Sequence, residues 1–353
     1  MDHLVQVLPQ RVESLSGWLV ACVLVEPDVV LSLRTPLLAP VLPRDVNMSG
    51  HPRRTDIAWM VMVALLWAIC FPFIVIGLPD APPLLFAALR AFLAGGLLIF
   101  VCMAQRHRGT CQLNPRNLRQ LGLIGLSYTA LGFGGMFLGA GHLSPGLVTV
   151  LAGTQPLIAA AIAAIWLGET LKAKGIAGLV TGFLGVALLS WPGYDGNNDG
   201  YLRGITWVLM AAIGTAVGNI LLKKEAGGSI AAPMAIQLLF GGGMLLLASA
   251  MAGEHWNVNW TARFTGSLLI LSALATAAMI FLWFGLLARA PLNQLNIFSF
   301  LTPVFGLLIG FLFFDERLQF VQALGILIIL YGIALMQGGG AIQVSVDETS
   351  DER

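Results

Sequence analysis

The strongest constraint on this chain is a series of ten apolar runs of about 20 residues each, which follow one another from residue 57 onward. A helix of that length crosses a hydrocarbon core of roughly 30 Å, and a helix satisfies its own backbone hydrogen bonds in lipid. The predicted spans are 57–78, 84–104, 119–140, 144–167, 173–191, 203–222, 231–252, 265–287, 292–314 and 318–337. The predicted fold class is therefore an all-α integral membrane protein.

Composition narrows the possible partners. Only 10% of the residues are charged and 57% are hydrophobic, whereas a soluble domain has about a quarter charged residues, so lipid is the expected environment. The chain has 19 Lys and Arg and 18 Asp and Glu, so it has no excess of positive charge with which to bind the phosphates of a nucleic acid, and nucleic acid is not an expected partner. The four cysteines form no CxxC or His-flanked set, so we expect small apolar residues, no disulfide framework, no metal and no cofactor.

The first 47 residues differ from the rest. Their apolar stretch contains Glu26 and Asp28, and an acid near a helix centre costs roughly 2.5 to 3.5 kcal/mol on insertion. We predict a disordered extension, or a misassigned start with Met48 as the natural first residue. The predicted organisation then runs as a first five-helix repeat over 48–192, an outer linker over 193–202, a second five-helix repeat over 203–337 and a cytoplasmic tail over 338–353.

Basic residues indicate the orientation, because cytoplasmic loops carry an excess of Lys and Arg. With both termini in the cytoplasm, the outer loops hold Arg203, Arg263 and Arg317. The inner side then holds Arg53, Arg54, Arg106, Arg108, Arg116, Arg119, Lys172, Lys174, Lys223, Lys224 and Arg289. The predicted location is a bacterial inner membrane.

The chain repeats itself at an offset of 147 residues, which relates Pro156 to Pro303 and Glu169 to Glu316. The same offset relates Arg90 to Gln237. Five spans per half is an odd number, so the halves are predicted to have opposite orientations in the membrane. Such inverted repeats are typical of secondary transporters, which expose a site at the repeat interface alternately to each side. A structural membrane protein and a polytopic membrane enzyme are the alternatives, although no HExxH or other catalytic constellation is visible.

The segment Thr154-Gln155-Pro156 through Leu167-Gly168-Glu169-Thr170-Leu171 and its copy Leu301-Thr302-Pro303 through Asp315-Glu316-Arg317-Leu318 resemble the EamA-type transporters of the drug/metabolite transporter superfamily. The resemblance covers residues 57–337. It implies ten helices, cytoplasmic termini, a central cavity, and export or exchange of amino acids or related small solutes. Asp315 departs from the pattern, which has glycine before the glutamate.

Polar side chains inside spans nominate the solute path, because they are costly in lipid and face a cavity or another helix. Arg90 is the one cation well inside a span; it would hold a substrate carboxylate, or else snorkel or bind carbonyls of a neighbouring helix. Stripes in the fourth and ninth spans are predicted to line the cavity or to bond between helices, and consist of Thr149, Ala152, Gln155, Asn296, Ser299 and Thr302. Weaker candidates are Trp67, Tyr128, Asn219, Gln237 and Trp283.

Each stripe leads into a proline, Pro156 or Pro303, and each helix ends near a glutamate, Glu169 or Glu316. These four residues are predicted to act in gating, with a solvated or capped helix end as the alternative for the glutamates. No Asp or Glu lies inside a predicted span, so transport would be downhill, exchange-driven or coupled to protons through the end glutamates. The small-xxx-small pair Gly178 and Gly182 fits a contact within the monomer or a homodimer interface.

Overall fold

A computed structural model of the protein describes residues 54–106, 118–166, 173–189, 198–225, 231–287 and 301–338. Regular structure in these ranges is helical throughout, without strands. The α-helices are α1 (Arg54–Ala68), α2 (Cys70–Gly77), α3 (Pro83–Arg106), α4 (Leu118–Ile124), α5 (Gly132–Ala140), α6 (Pro145–Ala152), α7 (Gln155–Trp166), α8 (Ala173–Leu189), α9 (Asn198–Glu225), α10 (Ala231–Met251), α11 (Ala262–Leu269), α12 (Met279–Leu287), α13 (Leu301–Phe314) and α14 (Phe320–Gly338). A 3-10 turn, Leu78–Asp80, follows α2. The predicted extension 1–47 lies outside the described residues.

Seven helical stretches among the described residues are long and apolar enough to cross a membrane. They are Ile57–Asp80, Pro83–Ala104, Leu118–Ala140, Pro145–Ile162, Gly200–Leu222, Ala231–Met251 and Ala262–Trp283. Three shorter apolar helices are Ala173–Leu189, Leu301–Phe314 and Phe320–Leu335. Large apolar side chains on several of these helices point outward, as Phe100, Leu184 and Phe311 do. Such exposed surface suits lipid, and the protein is a multi-pass membrane protein.

Two helical stretches contain a π-helical segment. The segment Gly125–Leu131 joins α4 to α5, and the segment Ile270–Ala278 joins α11 to α12. The offset of 147 maps residues 125–131 onto 272–278, so the two π-helical segments occupy equivalent places in the repeat. A π-helical segment is rare and is often found at a functional site.

Equivalent helices of the two halves pack against each other in opposite directions. A Cβ added to Gly185 of α8 would lie 2.6 Å from the Ile329 nitrogen and 2.8 Å from the Gly325 oxygen of α14. Gly332, further along α14, instead faces the backbone of Gly178, earlier in α8. Because a later position of α8 contacts an earlier position of α14 and the reverse also holds, the two helices run antiparallel with their backbones in contact. The offset of 147 relates α8 to α14, so they are equivalent helices of the repeat. Small residues permit such an approach, which gives van der Waals attraction in lipid.

Helices α3 and α10 repeat this arrangement. A Cβ on Gly95 would lie 3.0 Å from Leu239 Cδ2, and a Cβ on Gly242 would lie 3.2 Å from Phe92 Cε1. The offset relates Gly95 to Gly242 and Phe92 to Leu239. The repeat therefore exchanges the two contacts, and each is the equivalent of the other. These helices also run antiparallel.

Ionic contacts join the halves at one end of the bundle. Asp80 is buried and accepts hydrogen bonds from Arg263 at 3.0 Å (Nε) and 2.8 Å (Nη2), and from Thr261 at 2.9 Å. The Glu254 carboxylate accepts from the Leu84 and Leu85 amides, both at 3.1 Å. A carboxylate at this position satisfies the free N–H groups that begin α3 and complements the helix dipole.

The cysteines require one correction. Cys102 is disulfide-bonded, whereas the sequence predicted only small apolar residues. The sequence prediction relied on local cysteine motifs, and Cys102 belongs to none of them. Cys70 is a free, buried thiol in the interior of the bundle.

Candidate functional site

Arg90 lies in α3 with only 3% of its surface exposed. Its Nε and Nη2 donate to Thr276 Oγ1 at 3.2 Å and 3.1 Å, and Nη2 also lies 3.7 Å from Cys70 Sγ. Nη1 is buried and has no hydrogen-bond partner. The guanidinium is therefore held by one edge, from the opposite half of the chain.

Aromatic rings cover the face of the guanidinium. The Arg90 Cζ lies 4.3 Å from the Phe133 ring centroid and 5.9 Å from that of Phe137. A desolvated cation–π contact is worth about 2 kcal/mol, and a hydrogen bond to a charged group about 1.5 to 3 kcal/mol. A buried charge costs several kcal/mol when unpaired, and no carboxylate among the described residues forms an ion pair with Arg90. The site therefore compensates this charge only in part.

Gln237 occupies the equivalent position in the second half and is fully buried. Its Oε1 accepts a hydrogen bond from Thr129 Oγ1 at 2.7 Å, and its Nε2 lies 3.7 Å from Met234 Sδ. The offset of 147 also relates Thr129 to Thr276. Both second-helix residues are thus held by the equivalent threonine of the other half, and one of the pair is cationic while the other is neutral.

The π-helical segments bring these threonines into place. Thr276 lies in the segment Ile270–Ala278, and its Oγ1 donates to the Leu271 carbonyl of the same segment at 2.8 Å. Ser272 of the same segment donates to the Arg90 carbonyl at 3.3 Å. At the equivalent place in the first half, a Cβ on Gly125 would lie 2.7 Å from the Gln237 carbonyl oxygen. Each π-helical segment therefore packs on the backbone as well as the side chain of its partner.

The predicted aromatic residues lie half-buried in the interior. Trp67 and Trp283 come from opposite halves, and their rings contact each other at 5.5 Å between centroids with a tilt of 42°. Tyr128 lies 6.5 Å from Phe133 by ring centroids, beside the ring that covers Arg90. Asn219 is exposed on α9. The structure thus brings Trp67 and Trp283 together, and places Tyr128 near Arg90.

Of the polar residues predicted along the fourth span, Thr149 packs against another helix. Thr149 is buried, donates to the Pro145 carbonyl at 2.7 Å and contacts Gly306 of α13. Gln155 is half-buried, and Thr302 has a buried Oγ1 without a hydrogen-bond partner.

The predicted prolines differ in environment. Pro156 is exposed, whereas Pro303 is buried and faces Gly153 across the contact of α13 with the end of α6. Asn296, Ser299 and Glu169 lie outside the described residues.

Glu316, between α13 and α14, contacts the start of α6. Its Oε1 accepts from the Gly146 amide at 2.8 Å, and its own amide donates to the Gly310 carbonyl at 3.2 Å. Oε2 is buried without a hydrogen-bond partner. Burial raises the pKa of the Glu316 carboxyl, and the bonds from Gly146 and Ser144 oppose that shift. Glu316 therefore caps a helix of the opposite half, and its charged form is disfavoured by desolvation.

Two segments of the chain, residues 55–191 and 202–337, each match the EamA-like transporter family. The chain belongs to that family. It is 27% identical to "Uncharacterized transporter YvbV" of Bacillus subtilis over 82% of this chain and 93% of that protein. It is 29% identical to "Probable amino-acid metabolite efflux pump" of Escherichia coli, over 79% of this chain and 94% of that protein. A crystal structure superimposes with a TM-score of 0.56 at 19% identity, over 80% of this chain and 96% of that one, and so shares the fold.

Four residues of the site in this EamA-like protein were not predicted from the sequence: Cys70, Thr129, Phe133 and Thr276. The threonines carried a usable signal, because the offset that pairs Arg90 with Gln237 also pairs Thr129 with Thr276. Cys70 and Phe133 carried none, since their roles depend on where the Arg90 side chain turns. Among the described residues, no group of three or more His, Cys, Asp or Glu is placed to hold a metal ion.

Proposed function

We propose that the protein is a secondary transporter that exports or exchanges amino acids or related small solutes by alternating access, and is not an enzyme. The observation that carries the proposal is the pair of contacts Arg90 to Thr276 and Thr129 to Gln237, which joins the two halves at equivalent interior positions. A carrier of this kind has a site between two halves that move against each other. Membership of a transporter family and the relatives named as transporters support it.

The proposed architecture is ten transmembrane helices in two inverted five-helix repeats, over 48–192 and 203–337. The antiparallel contacts of α8 with α14 and of α3 with α10 support the inversion, because equivalent helices of parallel repeats would run the same way. Both termini would be cytoplasmic. An alkaline phosphatase reporter inserted at Gly196 should be active, as expected for an outer loop, and a cytoplasmic reporter there should be silent; the opposite pattern would reverse the topology.

The proposed solute path follows the interior residues Trp67, Arg90, Tyr128, Gln237, Trp283, Gln155 and Thr302. Pro156, Glu169, Pro303 and Glu316 are proposed to act at the ends of this path, where the halves open and close. Exchange, downhill movement and proton coupling through the end glutamates stay open as energy sources.

Resistance of an overexpressing strain tests the proposal. Cells producing the protein should tolerate at least one toxic amino acid, amino-acid analogue or drug better than cells producing the Gly185→Trp variant, in which the packing of α8 on α14 is obstructed. Membrane levels of both proteins are measured by immunoblot. Purified protein in liposomes should then move the same compound. Absence of any resistance phenotype and of any liposome flux, at normal membrane levels, would reject the transporter function.

A further inference from the structure

We propose that Arg90 binds the carboxylate of a small organic acid or amino acid in a site formed with Cys70, Thr276 and Phe133. This inference rests on the transport function proposed above and names the chemical group that the carrier recognises. The residues come from α2, α3, α5 and the second π-helical segment, so the site lies across the two halves.

The unused hydrogen-bonding capacity of Arg90 is the first step. Nη1 carries two N–H donors, is buried and has no partner, while Thr276 engages Nε and Nη2. Cys70 offers only a weak acceptor at 3.7 Å. Because no carboxylate in the described parts of the chain forms an ion pair with this guanidinium, the fitting acceptor is one that arrives with the solute.

The charge and shape of the site narrow the ligand class. The neutral Gln237 stands where repeat symmetry would place a second cation, so the pair balances one negative charge and not two. A planar guanidinium matches a carboxylate better than a spherical ion. The Phe133 ring at 4.3 Å supplies an apolar wall for the remainder of an organic molecule. A monocarboxylate with an apolar part therefore fits better than a polyanion or chloride.

Cys70 provides a native reporter of this binding. Iodoacetate and iodoacetamide have nearly the same size, and differ in that only iodoacetate carries a carboxylate. Either reagent alkylates a thiolate: the sulfur forms a bond to the methylene carbon, the carbon–iodine bond breaks, iodide leaves and the thiol proton passes to water. A carboxylate bound at Arg90 would hold that carbon near Cys70 Sγ. The ratio of the two rates cancels the thiolate fraction, because both reagents attack the same sulfur.

The experiment uses the full chain in lipid nanodiscs and follows alkylation of the Cys70 peptide by mass spectrometry. The rate ratio of iodoacetate to iodoacetamide at Cys70 should exceed the ratio for glutathione by about tenfold, the factor that corresponds to one modest ion-pair contribution. Arg90→Gln should return the ratio to the glutathione value. Gly96→Ala, at an exposed position of α3 where an added Cβ has no atom within 4 Å, should leave the raised ratio unchanged. A glutathione-like ratio in the unmodified protein, or a Cys70 that reacts with neither reagent, would overturn the carboxylate site.

A protection measurement needs no variant and guards against misfolding of Arg90→Gln. Phenylacetate should slow alkylation of Cys70 by iodoacetamide, whereas the neutral phenylacetamide should leave the rate unchanged. Equal protection by both compounds, or equal protection by chloride, would overturn carboxylate recognition. These outcomes can be told apart from those of the transport test. If the overexpressing cells are resistant but Cys70 alkylation shows no preference for carboxylates, the carboxylate site is rejected and the transporter function stands. If alkylation prefers carboxylates but the protein gives neither resistance nor flux, the transporter function is rejected and the carboxylate site stands.

Discussion

Arg90 and Gln237 occupy equivalent positions in the two halves, and each is hydrogen-bonded to the equivalent threonine of the opposite half. Arg90 donates to Thr276 at 3.2 Å and 3.1 Å, and Gln237 accepts from Thr129 at 2.7 Å. The two contacts are equivalent in position, but the threonine accepts in the first and donates in the second, and only the first involves a charged side chain. Any rotation of one half against the other must move both contacts, but of these two side chains it is Arg90 that has a buried nitrogen, Nη1, without a hydrogen-bond partner.

Removal of the two threonine hydroxyls should have unequal effects on stability. Thr276→Val deprives a buried cation of its acceptor and should lower the free energy of unfolding by about 2 to 3 kcal/mol. Thr129→Val deprives a neutral amide oxygen of its donor and should cost about 1 to 2 kcal/mol. Thermal unfolding in one detergent at one scan rate would give the order of the two Tm values. Thr276→Ser and Thr129→Ser, which keep the hydroxyls, are the controls; equal losses for the two valine variants would contradict the argument.

Sequence alone identified Arg90 and Gln237 as equivalents but did not identify their partners. The reason is the π-helical segments: one added residue per turn rotates the following side chains around the helix, so a periodicity of 3.6 misplaces Thr129 and Thr276. By contrast, the helix starts at Pro83 and Pro145 were predictable, because proline needs no N–H donor at the first helical position. Local backbone chemistry is visible in the sequence, whereas contacts between helices depend on their rotation.

Close packing of α8 on α14 should make Gly185 intolerant of a side chain. The Cβ of alanine would lie 2.6 Å from the Ile329 nitrogen, so the helices must separate, at a cost of about 1 to 3 kcal/mol. Gly243→Ala is the matched control, since a Cβ there has no atom within 4 Å and alanine favours a helix by about 0.5 to 1 kcal/mol. Gly185→Ala should lower Tm and Gly243→Ala should hold or raise it. An unchanged Tm for Gly185→Ala would mean that α8 and α14 are further apart.

Asp315 has a backbone conformation that favours glycine, which is the residue that precedes the equivalent glutamate in the first half of the sequence. Its φ of 52° is left-handed, and it follows the last residue of α13, where glycine commonly ends a helix. The sequence showed the departure from glycine but not the dihedral angle that glycine relieves. Asp315→Val should be less stable than Asp315→Asn by about 1 to 2 kcal/mol, because a β-branched residue is strained in this conformation and asparagine tolerates it. Thermal unfolding of the two variants under the same conditions would measure the difference. A valine variant as stable as the asparagine variant would contradict the strain argument.

The Glu316 carboxyl should make stability fall as pH rises. Burial raises its pKa above the ordinary 4.5, so between 4.5 and the folded-state pKa the folded protein binds more protons than the unfolded chain. The stability that this group contributes is present below 4.5 and is lost as pH rises through the folded-state pKa. Glu316→Gln stays neutral and can still accept from the Gly146 amide, so the Tm of the variant relative to the unmodified protein should increase as pH is raised from about 4.5.

The matched control for this titration is Gln319→Ala, an exposed and non-titrating position in the same loop. Its Tm should follow the pH dependence of the unmodified protein. Melting curves of all three proteins, recorded from about pH 4 to pH 8, provide the comparison. If the Tm of Glu316→Gln relative to the unmodified protein decreased with rising pH, the pKa argument would be contradicted. The charged carboxylate would then be favoured in the folded state, because its hydrogen bonds at the start of α6 would stabilise it by more than burial destabilises it.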